Sequence, residues 1–158
     1  MAIIINYNMQ RIDSFKVNHL LLERGVYVSK IDANITTLDL RMRRPYKDTL
    51  LSTTEMHSLE HLLATSLRSG DYANNVVYVG PMGCATGFYV LFKDLSQIQM
   101  LNVLKQAFFN VIEFKEMPGN SLAECGNCNS LCLTTGIQLA KEYNSLLQTT
   151  NVFDKYPE

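Results

Sequence analysis

This chain of 158 residues lacks an excess of charge of either sign: 14 Lys and Arg stand against 15 Asp and Glu, a formal net charge of −1. So nearly neutral a chain has no electrostatic footprint for nucleic acid. Its densest basic cluster, Arg41-Met42-Arg43-Arg44, is short and lies partly inside a strand pattern. Long apolar runs are missing too. No segment approaches the roughly 18 to 20 apolar residues of a membrane span. Met1-Ala2-Ile3-Ile4-Ile5 is too short for a signal-peptide core and has no basic residue before it. The expectation is a cytoplasmic protein that binds neither nucleic acid nor membrane. Repeats, low-complexity tracts and linkers are absent as well, so residues 1–158 read as one domain with room for a real core. Histidine is scarce, at three residues, and there are four cysteines: Cys84 alone, then Cys125, Cys128 and Cys132 crowded together. In a reducing compartment that crowding suggests metal binding or catalysis before disulfides.

What is present has clear periodicity. From Asn34 to Met42 the pattern alternates, with Leu38, Leu40 and Met42 on one face and Thr37, Asp39 and Arg41 on the other. It predicts a half-buried strand carrying a charged pair on its polar face, closed by Pro45. Ser52-Thr53-Thr54-Glu55 reads as a capping box opening a helix whose buried stripe is Met56, Leu59, Leu63 and Leu67, stopped at Ser69-Gly70. Val76 to Val79 and Phe88 to Phe92 read as short strands on either side of a Gly80-Pro81-Met82-Gly83 turn. Ser96 to Gln99 is a second capping box, for a helix with Leu101, Leu104, Phe108 and Val111 on its core face. Lys115 to Asn129 is loop-like, and a last helix spans about Thr134 to Leu147. The expected class is α+β: an antiparallel sheet with helices packed on one face.

Chemistry concentrates in His57-Ser58-Leu59-Glu60-His61. At about 100° per residue, His57 and His61 lie about 40° apart and one turn along the helix. Glu60 projects about 60° to the other side of His57, within reach of a metal-bound water without being a ligand. The H-x-x-E-H order implies metal-assisted chemistry. Two imidazoles leave a third ligand to be found, and Cys125 in its loop is the best candidate; a thiolate with two imidazoles suits Zn²⁺ and tolerates Fe²⁺ or Co²⁺. Cys84 follows a tight turn that could hold its thiol exposed, as a general acid or base. Each residue also has a plain reading: solvated helix residues for the histidines and Glu60, small buried hydrophobes for Cys125 and Cys84. Cys128 and Cys132 complete a Cys-x2-Cys-x3-Cys run, but a separate thiol site there lacks a fourth ligand.

Three segments, taken together, resemble the S-ribosylhomocysteine lyase (LuxS) family: Met56-His57-Ser58-Leu59-Glu60-His61-Leu62-Leu63-Ala64, Gly80-Pro81-Met82-Gly83-Cys84-Ala85-Thr86-Gly87-Phe88-Tyr89, and Glu124-Cys125-Gly126-Asn127. Ser14-Phe15 with His19, and Leu38-Asp39-Leu40-Arg41, extend the similarity from about Ile12 to Tyr143. The resemblance implies a LuxS-like single domain in which His57, His61 and Cys125 bind the metal. In this family that metal is ferrous iron, with zinc or cobalt as substitutes, and no organic cofactor is used. It also implies that Cys84 and Glu60 shuttle protons, and that Ser14, His19 and Arg41 bind or orient the substrate. Family members form homodimers with active sites at the interface. They split S-ribosylhomocysteine into homocysteine and 4,5-dihydroxy-2,3-pentanedione, the precursor of the quorum-sensing signal autoinducer-2 and a step of the methyl cycle.

The chain departs from the pattern in places. The family commonly has a histidine about six residues after the metal cysteine, where this sequence reads Asn129-Ser130-Leu131-Cys132. Residues 1–10 extend beyond the usual start, with no role assigned. A small metallopeptidase shares the helix motif but leaves both Cys84 and a cysteine ligand without a use. The other alternative is a non-catalytic metal-binding protein that keeps the fold.

Overall fold

Both capping boxes are formed, and they fix where the helices start. Ser52 Oγ accepts from Glu55 N–H at 3.1 Å while the Glu55 carboxylate accepts from Ser52 N–H at 2.7 Å. Ser96 and Gln99 repeat the exchange at 3.2 and 2.9 Å. Each exchange satisfies two of the backbone donors a helix leaves open at its start. The computed structural model describes residues 9–158; all but the last two residues of the 1–10 extension lie outside them.

Four strands and three helices form the described chain: β1 (Gly25–Asp32), β2 (Ile35–Arg41), α1 (Thr53–Arg68), β3 (Val76–Pro81), β4 (Gly87–Lys93), α2 (Gln97–Ile112) and α3 (Leu133–Thr149). The sheet runs β1-β2-β4-β3, with every neighbouring pair antiparallel. Leu38, Leu40 and Met42 join Phe88, Val90 and Phe92 in a buried core with Leu59, Leu62 and Leu63 of α1, Leu104 and Phe108 of α2 and Tyr143 of α3. This is the α+β arrangement expected, with the helices on one face of the sheet.

Three details differ from the sequence reading. β1 was not anticipated, because its alternation is blurred: Val26 and Tyr27 are both buried, one on each face, and a bulge between Val28 and Lys30 breaks the register. In α1, Leu62 is fully buried while Met56 is only half-buried, since α3 packs on α1 and widens the buried stripe. Gly136 permits that approach: a Cβ there would lie 2.7 Å from Leu62 Cδ1 and 2.9 Å from Ser58 Cβ.

The third difference bears on function. Asp39 and Arg41 do not lie on a solvated face. They are 0% and 3% exposed. Asp39 stands in register between Tyr27 of β1 and Tyr89 of β4, and Tyr156 from the C-terminal segment lies over them, its ring stacked on that of Tyr27. The sheet therefore has a second, aromatic and polar covered face.

Candidate metal centre and thiol site

On the helix side, the His57 and His61 side chains and the Cys125 thiol converge, their ligand atoms all within 4.8 Å of one another. α1 supplies the two imidazoles one turn apart, as the spacing requires. Cys125 comes from the loop between α2 and α3, where its N–H donates to Ser121 O at 3.0 Å and closes a tight turn. Backbone N–H of Asn127 points at its sulfur from 3.4 Å. Hydrogen bonds also set the ring tautomers. Pro118 O can only accept, so His61 Nδ1, 2.8 Å away, carries the proton and leaves Nε2 as the free ligand atom. Gly119, at φ +66°, lets the chain come this close, since a Cβ would sit 3.0 Å from His61 Nδ1.

His57 Nδ1 meets Ser130 Oγ at 2.5 Å, and Ser130 donates to Asn127 O at 3.1 Å. The hydroxyl's own proton is thus committed, and His57 is the donor. Its Nε2 faces the Cys125 sulfur at 3.4 Å. Two Nε2 atoms and a thiol are a donor set that fits a tetrahedral N₂S site with a position left open. Glu60, half-buried, lines the same cavity of about 470 Å³ with His57, His61 and Cys125. Ser130 and Pro118 escape a reading by spacing because their roles depend on backbone approach across the loop.

On the other face, Cys84 lies in the β3–β4 turn, closed by Ala85 N–H to Met82 O at 3.0 Å, and the residue is exposed, not a buried core cysteine. Ala85 takes a positive φ of 59°, and Leu51 N–H fastens its carbonyl at 2.9 Å. Cys84 Sγ is 3.0 Å from Thr86 Oγ1. That hydroxyl accepts from Arg41 Nη1 at 2.6 Å, while Arg41 Nη2 donates to Asp39 Oδ2 at 2.6 Å. Burial pushes the Asp39 carboxyl up, with Arg41 and Tyr156 holding it down in part. Burial works against the Arg41 charge as well, but Asp39 beside it more than offsets this and keeps the guanidinium charged.

His19, half-buried with Nδ1 at 2.9 Å from Val17 O, lines a cavity of about 320 Å³ with Cys84 and Thr86. Ser14 sits on a short 3-10 turn, Asp13–Phe15, and lines neither cavity. Within one chain, then, the predicted residues fall into two groups: His57, His61, Cys125 and Glu60 on one side, Cys84 and His19 with Arg41 behind Thr86 on the other. The two cavities share no lining residue. Thr86 and Asp39 gain a role only in the fold, as the two partners of the Arg41 guanidinium.

An α+β domain with two helical histidines, a loop thiol and a carboxylate in one cavity defines a protein built for metal-assisted chemistry. Comparison with known proteins narrows the class. The family model described as S-ribosylhomocysteinase (LuxS) matches residues 12–153. S-ribosylhomocysteine lyase of Clostridium acetobutylicum is 40% identical over 160 residues, covering 95% of this chain and 100% of the relative. The lyase of Finegoldia magna is also 40% identical, at the same coverage; that of Porphyromonas gingivalis is 39% identical over 76% of this chain and 80% of its own. The chain belongs to the LuxS family. No described helix is long and apolar enough to cross a membrane.

Proposed function

We propose that this protein is a carbon–sulfur lyase that splits S-ribosylhomocysteine into homocysteine and 4,5-dihydroxy-2,3-pentanedione. The observation that carries this reading is the convergence of His57, His61 and Cys125 beside Glu60 in a member of the LuxS family. His57 and His61 through Nε2, and Cys125 through its sulfur, would hold the ion, which we take to be ferrous iron, with zinc or cobalt able to substitute. Bound there, it supplies a Lewis acid that polarises the sugar's carbonyl and hydroxyl oxygens.

The thioether itself is unactivated, so the carbonyl must first move along the ribose. It starts at C1; an aldose–ketose shift carries it to C2 and a second, ketose–ketose shift to C3. Each shift removes a proton from one carbon and returns one to its neighbour. A proton then leaves C4, the C4–C5 double bond forms, the C5–S bond breaks, and the departing thiolate is protonated. The enol left at C4 loses its hydroxyl proton and gains one at C5, which gives the methyl diketone. Glu60 and Cys84 are the two proton carriers we assign, with the Cys84 thiolate acting on carbon and Glu60 serving oxygen and carbon from the metal side. Arg41, His19 and Ser14 orient the substrate. Two carriers placed on different sides of the sugar suit transfers along its length, which a water-activating peptidase would not need.

In one chain those carriers line cavities with no residue in common, and we propose that a second copy brings Cys84 to the metal. Large apolar side chains stand exposed in the lining of the thiol's cavity: Tyr46 (86%) and Leu50 (54%). Such a cluster favours burial against another surface, and a homodimer with sites at its interface would provide it. The reaction is tested by incubating reduced, metal-replete protein with S-ribosylhomocysteine and titrating the thiol released. One homocysteine per substrate consumed is expected; none would sink the lyase reading, and release of amines from peptides in its place would favour the peptidase.

A further inference from the structure

The last residues of the chain turn back along β1 and end over the polar face of the sheet. Asp154 makes a parallel bridge with Tyr27. Its N–H donates to Val26 O at 2.7 Å, and its carboxylate accepts from Val26 N–H at 3.0 Å. Gly25 leaves room for this, because a Cβ there would collide with the Asp154 carboxylate. The strap delivers Tyr156. Its ring lies 4.8 Å from that of Tyr27 at an angle of 7°, and its hydroxyl donates to Asp39 Oδ2 at 2.8 Å. Burial first, then Asp39, raises the Tyr156 hydroxyl's pKa well above the ordinary range, so it remains a donor. The family match ends at residue 153, three residues short of it.

Asp39 Oδ2 is thus the single atom that both Tyr156 and Arg41 use. Asp39 Oδ1 and Arg41 Nε, both buried, have no hydrogen-bond partner among the described residues. Among the described residues nothing else holds the guanidinium: its aim rests on Asp39 at one end and Thr86 at the other. Because Thr86 Oγ1 accepts from Arg41, its own proton is free to point at the Cys84 sulfur 3.0 Å away. The bonds run unbroken from Tyr156 through Asp39, Arg41 and Thr86 to the thiol.

We propose that Tyr156 is a positioning residue for the Cys84 half of the site, fixing through Asp39 how the Arg41 guanidinium and Thr86 hydroxyl support the Cys84 thiolate. Without the tyrosine donor, the Asp39 carboxylate leans wholly on Arg41, less of the cation's field reaches Thr86, and the thiolate loses support. The proposal rests on the assignment of Cys84 and Arg41 to the lyase reaction, but its main readout does not need turnover.

The test is Tyr156→Phe in the full-length, metal-replete protein, which keeps the stack on Tyr27 and removes only the hydroxyl. Iodoacetamide labelling is followed across pH, with modification of the Cys84 peptide counted by mass spectrometry so that the other three thiols do not interfere. The Cys84 labelling midpoint should move to higher pH by about half a unit, and kcat/KM should fall about tenfold. Among the groups facing this chain of bonds, Tyr27 and Tyr89 are raised by burial and stay neutral in that range. His19, Tyr46 and Asp48 across the cavity are common to both proteins, so a difference between them reports Tyr156. An unchanged midpoint overturns the proposal whatever the melting temperature or turnover does. Should Tyr156→Phe fail to fold, Asp154→Ala loosens the strap without touching Asp39, and the same upward shift is required of it. A wild type that releases no homocysteine refutes the lyase reading and leaves the labelling result standing on its own.

Discussion

The two groups of residues, the metal half and the thiol half of the proposed site, are built by opposite means. The metal half is mostly local: two ligands and the carboxylate come from five consecutive residues of α1, and one loop supplies the thiol and both imidazole acceptors, Pro118 and Ser130. The thiol half is assembled from afar, with Asp39 and Arg41 on β2, Cys84 and Thr86 at the β3–β4 turn, and Tyr156 near the end of the chain. A helix holds neighbours at fixed spacing, so a metal site can be encoded in one stretch. A charged pair in a sheet face must instead be enclosed by partners from several elements, because a buried ion left without them is costly.

The largest test of this division removes one half at a time. His57→Ala should leave the protein folded but without metal by elemental analysis, and without turnover. Cys84→Ala should also be inactive, yet keep its full metal content; Cys84→Ala activity within about tenfold of wild type would remove the thiol from the mechanism. If a second copy supplies Cys84 to the metal, mixing the two inactive variants under conditions of chain exchange should restore about a quarter of wild-type activity, since half the dimers are mixed and one of their two sites is intact. No recovery on mixing would place both halves of each site in one chain.

Stability sharpens the contrast next. Asp39→Ala leaves the Arg41 guanidinium buried without its counter-ion, and we expect a loss of about 3–5 kcal/mol by urea denaturation. Smaller is the effect of Gly136→Ala, where the new methyl group meets Leu62 and Ser58. Overpacking of about 1–3 kcal/mol, offset by up to about 1 kcal/mol of helix propensity, should give a modest net loss of stability. That variant pushes α3 off α1 where Cys132 N–H donates to Ser58 Oγ at 2.9 Å, next to His57, so metal retention against a chelator should fall with it. Unchanged retention would mean that the loop holds Cys125 independently of α3.

The legibility of each part follows the same physical line. Both capping boxes, most of the helix cores, the β2 alternation and the β3 and β4 strands about their turn could be read because they depend on neighbours within a few residues. β1 escaped because a strand covered on both faces loses its alternation, as buried Val26 and Tyr27 show. Asp39 and Arg41 were legible as a same-face pair and misread as solvated, since no local pattern announces that Tyr156, more than a hundred residues later, will cover them. Ser130 gives no local signal either, since its bond to His57 depends on how the loop folds back over α1.

By itself the sequence determined the chemistry available: two imidazoles at one-turn spacing, a carboxylate beside them, and thiols in a turn and a loop, in the order that marks the LuxS family. Tertiary structure decided which of these groups meet. It brought Cys125 to the histidines, fixed both ring tautomers, and set Cys84 in a different cavity of the same chain. The reason is range: helical spacing and turn chemistry act over a few residues, whereas the enclosure of Asp39 and Arg41 and the closing of the loop over α1 exist only once distant elements have packed.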